Sequence, residues 1–378
     1  MNNMDGPVEH LDTVVIGAGQ AGLTVGYHLT RARRSVVILE AAARVGDAWR
    51  SRWDSLRLFT PARRDGLPGW GFPARPWTFP TKDEMADYLQ QYAARMSLPV
   101  RTGSRVERLR ADTGRFAVQV AGGPNVAADN VVLAVGTCQT PTVPAYASDL
   151  ATSITALHSS EYKNQSQLQP GGVLVVGASN TGAELAIECA AHHETWLAGR
   201  HPGQIPFRIQ GTASRLQLER VVIGGVLHRV LTTTTPPGRR ATASARGHGG
   251  PLIRLKTKDV AAAGVQRVDR VTGVRDGRPI LADGSTPPVS NVLWCTGFHL
   301  DLGWVDLPGV ADGVPAHDRG VVRDVPGLYL VGAPFQYSIT SPMIHGSVRD
   351  ATHVAHRLLP RPAQPARAPL TTNPRSGR

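Results

Sequence analysis

Two glycine turns, each set between an apolar run and a helical stretch, constrain this chain more than any other feature. Near the start, Thr13-Val-Val-Ile-Gly17 enters Gly17-Ala-Gly19-Gln20-Ala21-Gly22, and a helical stretch follows from Leu23 to Arg33. A second apolar run, Ser35 to Leu39, then ends on Glu40, eighteen residues beyond Gly22. Strand, glycine turn, helix, strand and acidic residue in that order form a complete dinucleotide fingerprint. Gly17 permits the tight turn, Gly19 lets the backbone approach a pyrophosphate, and Gly22 lets the helix pack closely on the strand. The helix start at Gln20 and Ala21 faces the anion. Glu40 accepts hydrogen bonds from ribose hydroxyls and repels a ribose phosphate, which points to FAD or NAD here and away from NADP.

The arrangement recurs far downstream. Gly172-Val-Leu-Val-Val-Gly177 enters Gly177-Ala-Ser179-Asn180-Thr181-Gly182, with Ser179 in place of the middle glycine, and a helical stretch runs from Ala183 to His192. Its second strand, Thr195 to Gly199, ends on Arg200, again eighteen residues beyond the last glycine. Acid has become base at the matching position. A guanidinium clamps a 2′-phosphate through two charge-assisted hydrogen bonds, so NADPH is the expected second cofactor; a solvated strand-end arginine is the plainer reading of Arg200. Asn180 is placed to contact NADP and the flavin edge, or else serves as a turn residue bonded to its own backbone.

Two further strand-to-turn elements, Asn130 to Gly136 and Asn291 to Gly297, flank the second fingerprint and read as domain crossings. Gly327 to Gly332 is one more apolar strand ending in glycine, followed by Ala333 and a helical stretch from Gly346 to Leu359. The expected fold is α/β, with two Rossmann-like dinucleotide-binding domains and the NADPH domain inserted into the FAD domain. Residues 8–145 and 289–359 are assigned to the FAD domain, with Gly136 and Gly332 joining its cradle, 150–288 to the NADPH domain, and 360–378 to a disordered tail. Pro141 to Gln169 reads as the start of a linker, and Thr232 to Pro237 and Ala243 to Gly250 as loops, which makes His248 an exposed loop histidine.

The formal charge of +12 is carried almost wholly by scattered arginines and accompanies no recognisable nucleic-acid module, so no nucleic-acid partner is expected. Two anionic cofactors account for part of it. No apolar run is long enough for an integral membrane segment, and Met1 to Leu11 has neither the basic start nor the apolar stretch of a secretory signal, which makes the cytoplasm the expected location. Cys138, Cys189 and Cys295 form no Cys-x-x-Cys pair and no metal-ligand spacing, so neither disulfide-reductase chemistry nor a metal is expected. Oligomeric state is left open.

From Leu11 to Leu359 the sequence resembles the class B flavin-dependent monooxygenases, the flavin-containing monooxygenase family and its bacterial and plant auxin-forming relatives. Gly46-Asp-Ala-Trp49-Arg50 is similar to the family's Gly-Gly-x-Trp, and the segment from Phe79 to Leu89 is also similar. Leu157-His158-Ser-Ser-Glu-Tyr162-Lys163 matches the back half of the identifying motif Phe-x-Gly-x-x-x-His-x-x-x-(Phe/Tyr)-Lys, whereas Ala151 to Ser153 departs from its front half. Cys295-Thr296-Gly297-Phe298 resembles the family's Ala-Thr-Gly-Tyr element. The resemblance implies that Gly46 and Trp49 lie on the flavin side and that His158 and Lys163 are linker residues near NADPH. Without it, Trp49 reads as an ordinary aromatic, His158 as a loop or capping histidine and Lys163 as a solvated lysine. Ala333 stands where many disulfide-reductase flavoproteins place an aspartate.

A nicotinamide set against a flavin needs no protein nucleophile, because the cofactors supply the reactivity and the protein fixes their distance. The resemblance implies that reduced flavin binds molecular oxygen as a C4a-(hydro)peroxyflavin, which oxygenates a small organic substrate. N- or S-oxygenation, Baeyer-Villiger insertion and oxidative decarboxylation all stay open. Arg57 is a candidate to meet a substrate carboxylate or the peroxide, and with Asn180 completes the candidate catalytic residues. The competing readings are an NADPH-dependent flavin dehydrogenase or oxidase without oxygen insertion, and a redox-sensing or FAD-storing protein without turnover.

Overall fold

The computed structural model describes residues 9–112, 114–211, 222–245, 249–310 and 313–359. The expected tail and His248 lie outside them. Two sheets organise the chain, one of ten strands and one of five.

At the centre of the first sheet Glu9–Ile16 pairs in parallel with Val36–Leu39 on one side and Val126–Leu133 on the other. Val100–Arg101 extends the parallel set beyond Val36–Leu39, and Leu328–Leu330 beyond the C-terminal half of Val126–Leu133. The N-terminal half of Val126–Leu133 instead pairs antiparallel with Arg115–Val120, which continues to Val106–Asp112. Val36–Leu39 is continuously apolar because both of its faces are covered, Val36 and Ile38 lying in the core with the helices Gln20–Arg31 and Ile344–Leu358, and Val37 and Leu39 in the core with strands Val106–Asp112 and Arg115–Val120. Helix Gln20–Arg31 packs against the final helix, Ile344–Leu358.

The second sheet is wholly parallel and runs Gln266–Val268, Thr195–Ala198, Gly172–Val176, Val289–Trp294, Thr155–His158. Position by position this repeats the parallel set of the first: fingerprint strand in the middle, charged-end strand beside it, crossing strand on the other flank. In the first sheet the outermost strand beyond the crossing strand is the last in the chain, and in the second it is the first. The repeat therefore extends from sequence motif to strand order.

Three expectations need correcting: helix Pro236–Ala245 takes in parts of both segments read as loops, and the other two concern the second sheet. The boundary at residue 289 falls inside the second sheet, because Val289–Trp294 pairs with both Gly172–Val176 and Thr155–His158. An apolar run carries no mark of which of two similar sheets it joins, so the chain leaves the second sheet only after Trp294. Likewise the region read as linker contains Thr155–His158, the edge strand of that sheet. Among the described residues no helix is long and apolar enough to cross a membrane.

The glycine turns repeat in atomic detail. Gly17 and Gly177 both have positive φ, +105° and +109°, and a side chain on either would strike the backbone of the neighbouring crossing strand's end, at Ala134 and Cys295 respectively. A Cβ on Gly22 would fall within the Gly17 carbonyl, and one on Gly182 within the Gly177 carbonyl. Gly19 differs, since a Cβ there meets nothing within 4 Å. Gly22→Val is therefore expected to destabilise the apoprotein by about 1–3 kcal/mol through overpacking, read by urea unfolding. Gly19→Val is expected to leave apoprotein stability unchanged and still abolish FAD retention; retention of FAD by Gly19→Val would contradict the cradle assignment.

Candidate active site

Both fingerprint helices begin without a side-chain cap and without an acidic residue in the first turn. Their leading N–H groups carry the positive end of the helix dipole and lack intrahelical partners, which suits an anion. In the first cradle the Glu40 carboxylate reaches back across the turn. One oxygen accepts from the Ala18 N–H at 2.7 Å and the other from the Ala42 N–H at 2.9 Å. Each oxygen keeps a lone pair for a ribose hydroxyl. The open space at Gly19, the uncapped amides and this carboxylate together fit the adenosine and pyrophosphate of FAD. Gly136 and Gly332 adopt positive φ, +73° and +83°, at the ends of the flanking strands. Gly332 faces the Ala21 methyl across the turn, a Cβ on it lying 3.8 Å away.

In the second cradle Arg200 is exposed just beyond Thr195–Ala198. Arg267, on the neighbouring parallel strand, donates to the Gly199 carbonyl at 2.6 Å and brings a second guanidinium to the same strand end. Arginines around a strand end that held Glu40 in the first cradle fit a phosphorylated ribose, as in NADP. Arg267 was missed in the sequence because it lies outside the fingerprint and only strand pairing delivers it.

Segment 249–254 lies alongside this cradle. Ser179 donates to the Gly250 carbonyl at 2.8 Å, the Asn180 amide donates to the Pro251 carbonyl and accepts from the Ile253 N–H, both at 3.0 Å, and Glu184 pairs with Arg254 at 2.9 Å. Both ends of the Asn180 amide are thus bonded to the backbone of a distant loop and not to its own turn. Thr181 sits half-buried in the first turn of the helix.

The residues of the partial motif lie where the two domains meet. Buried His158 donates from Nε2 to the Gly297 carbonyl at 3.0 Å and accepts the Ser160 N–H at Nδ1 at 3.2 Å, with its ring edge-on to Phe298. Burial lowers its pKa, so the ring stays neutral. It pins the edge strand to the turn by which the chain leaves the second sheet. Tyr162, fully buried, donates its hydroxyl to Glu188 at 2.8 Å, and Ser55 donates to the other Glu188 oxygen. Lys163 reaches the Ser51 carbonyl with its ammonium, and its own carbonyl accepts the Asp54 N–H at 2.8 Å. Glu188 lies on the second fingerprint helix and Ser51 to Ser55 follow the Gly46–Trp49 turn, so this network ties one cradle to the other.

Gly46 has φ of +91°, and a Cβ on it would lie 2.5 Å from the Ala86 carbonyl oxygen. Trp49 is half-buried against the core shared by both sheets. Arg57 is exposed and donates to the Phe79 carbonyl at 3.1 Å. Beside it, Phe59, Phe79 and Met343 from one domain pack with Phe207 and Leu227 from the other around buried Ile205, Ile209 and Ile253. This gives the junction an apolar cluster. A further residue missed in the sequence is Asp65, fully buried, whose carboxyl accepts from the Thr60 hydroxyl at 2.5 Å and is pushed up to about 8 by burial.

Residues 14–203 match the pyridine nucleotide-disulphide oxidoreductase family. An uncharacterised CzcO-like oxidoreductase of Geobacillus kaustophilus is 36% identical over 93% of this chain and 99% of its own length. The solved structure of a flavin-containing monooxygenase from Stenotrophomonas maltophilia matches with a TM-score of 0.75 and 28% identity, covering 93% of this chain and 98% of that one. The chain belongs to the class B flavin-dependent monooxygenases. A probable indole-3-pyruvate monooxygenase of Arabidopsis thaliana is also similar, 28% identical over 91% of this chain and 85% of its own. Burial pushes Cys189 up to about 12 and raises Cys295 as well, so neither is a ready thiolate.

In a monooxygenase of this class the two cofactors must meet, and the Glu188 network sets how the cradles face. Glu188→Ala leaves the Ser55 and Tyr162 hydroxyls without their shared acceptor. It is expected to slow anaerobic bleaching of the flavin by NADPH by about 10- to 100-fold while FAD stays bound, with Glu188→Gln intermediate. An unchanged bleaching rate would show that the network is merely structural.

Proposed function

We propose that the protein is an FAD- and NADPH-dependent monooxygenase that transfers one atom of molecular oxygen to a small organic substrate at the junction of the two cradles. The observation that carries this reading is the pair of matched, uncapped helix starts with opposite charge at the strand end, Glu40 at one and Arg200 with Arg267 at the other. Bound FAD supplies the electron acceptor and the oxygen chemistry, with NADPH as the reductant.

The chain's own groups bind, orient and shield. Glu40 holds ribose hydroxyls, and the amides beginning at Gln20 and Asn180 receive pyrophosphates. Arg200 and Arg267 grip the 2′-phosphate. Asn180, fixed by Pro251 and Ile253, positions the second cradle's turn, and Trp49 with Gly46 flanks the flavin side. Phe59, Phe79, Phe207, Leu227 and Met343 exclude water around the junction and offer an apolar wall, which favours substrates with an apolar body. Arg57 stands at the rim of that wall, where its remaining guanidinium donors are available to an approaching anionic substrate.

The test supplies the FAD-loaded protein with NADPH, 18O-labelled oxygen, and a panel comprising a thioether, a tertiary amine, a ketone and a 2-oxo acid. One labelled oxygen in product for each NADPH consumed is expected for at least one member. Consumption of NADPH with hydrogen peroxide and no labelled product across the panel points instead to a dehydrogenase or oxidase. Arg200→Ala is expected to cost at least about tenfold in kcat/KM for NADPH and little for NADH; an unchanged NADPH preference would move the phosphate grip elsewhere.

A further inference from the structure

Between strands Thr195–Ala198 and Gln266–Val268 of the second sheet the chain makes a long excursion. Its root lies at the second cradle. The outgoing Ile205 N–H donates to the Leu252 carbonyl at 3.0 Å and the returning Leu252 N–H to the Gly203 carbonyl at 2.9 Å, while Pro251 and Ile253 on either side hold the Asn180 amide. The far end of the excursion crosses to the first domain. There Thr233 donates to the Tyr337 carbonyl at 2.8 Å and Ile339 to the Leu231 carbonyl at 3.3 Å, which sets Thr232 and Ser338 opposite one another as an antiparallel pair. Both are buried.

Arg349 fastens this crossing. It lies on Ile344–Leu358, the helix packed against the first cradle's own helix, Gln20–Arg31. On the excursion side Nη1 donates to the His228 carbonyl at 3.0 Å and meets His228 Nδ1 at 3.1 Å. A guanidinium has no acceptor, so Nδ1 accepts. On the first domain's side Nη1 donates to the Ser338 hydroxyl at 3.0 Å, and the buried Asp350 carboxylate holds Nη2 at 2.7 Å and Nε at 2.8 Å. The guanidinium also lies over the Tyr337 ring, 4.6 Å from its centroid, and Arg319 covers the same ring at 3.9 Å.

Parting these segments would strip Arg349 and the buried Thr340 hydroxyl of His228, and would leave the backbone groups at Thr233 and Ile339 without partners. Each buried group left unmet adds to the cost, and bonds in one network reinforce each other. The joint is therefore built to stay shut. A shift at it would reach both cradles, because the helix carrying Arg349 leans on one and the excursion's root grips the turn of the other.

We propose that Arg349 is a positioning residue, which locks the far end of the excursion to the first domain and so holds the two cradles at one setting throughout turnover. This rests on the reading that NADPH at the second cradle reduces flavin at the first.

The test uses FAD-loaded protein. Arg349→Lys keeps a cation beside Asp350 and loses the planar fork. It is expected to slow anaerobic bleaching of the flavin at saturating NADPH by at least about tenfold, with FAD still bound and bleaching by dithionite unchanged. A wild-type rate in this variant would overturn the proposal. Thr232 and Ser338 form the closer, non-hydrogen-bonded kind of antiparallel pair, with Cα atoms about 4.5 Å apart, a separation that a disulfide spans. Adding Thr232→Cys and Ser338→Cys to Arg349→Lys and oxidising the pair is expected to restore the lost rate, since the disulfide replaces the lock. In the Thr232→Cys/Ser338→Cys protein with Arg349 intact, the oxidised form is expected to bleach no more slowly than the reduced form. A slower oxidised form would show that the joint must open, and would overturn the proposal. That comparison changes no charge, and it decides the matter even where Arg349→Lys fails to retain FAD.

Amide hydrogen exchange at Thr233 and Ile339, read without nucleotide, needs no electron transfer. Arg349→Lys is expected to raise it by at least about tenfold, and unchanged exchange would remove the lock. If NADPH fails to bleach even the wild type, the redox reading falls together with the positioning role, while raised exchange in Arg349→Lys leaves the lock itself standing.

Discussion

Everything in this molecule is arranged around backbone N–H groups at two helix starts that the protein itself leaves unsatisfied. A helix of 12 residues at Gln20 and one of 11 at Asn180 both begin with no cap and no first-turn acid. The glycines before them are required by contact, because side chains at Gly17, Gly22, Gly177 and Gly182 would enter backbone carbonyls. Parallel strands with continuously apolar cores hold these turns at their carboxyl ends, which is where open α/β sheets bind ligands. At the strand end the two cradles differ in the sign of the charge, and on that difference rests our proposal of FAD for the first and NADPH for the second.

Two cradles make a redox enzyme only when they face each other at a fixed distance, and the junction is where the chain departs from simple repetition. Glu188 takes hydroxyls from Tyr162 and Ser55, Asn164 donates to Asp54 at 2.7 Å, and Lys163 caps the Ser51 carbonyl. Tyr162 is buried in the core cluster that includes both fingerprint strands. The back half of the family motif thus serves mainly to join domains, with His158 pinning the edge strand and Tyr162 and Lys163 reaching across. Its missing front half, at Ala151 to Ser153, precedes the strand and takes no part in these bonds.

What was legible in the sequence follows from local physics. The fingerprints, their strands and helices and the charge reversal from Glu40 to Arg200 are all set within a few dozen consecutive residues, where periodicity and glycine spacing speak directly. Val289–Trp294 was assigned to the wrong sheet because its apolar run is the same in either setting. The edge strand Thr155–His158 hid within Ser- and Thr-rich flanks. Glu188 and Arg267 had no local signature at all: each matters through partners brought to it by strand order or helix packing, and Asp65 matters through a burial that its loop sequence does not announce. Asn180 was recognisable as special, but the loop at Pro251 and Ile253 that claims its amide was not.

The account stands on electrons passing from the second cradle to the first. Stopped-flow mixing of FAD-loaded protein with NADPH under anaerobic conditions, alongside an equal concentration of NADH, measures this directly through the flavin absorbance. Stoichiometric FAD and rapid bleaching by NADPH, with NADH at least about tenfold slower, is the result predicted. Protein that holds no FAD, or holds it and is not reduced by NADPH, would contradict the pairing of the two cradles.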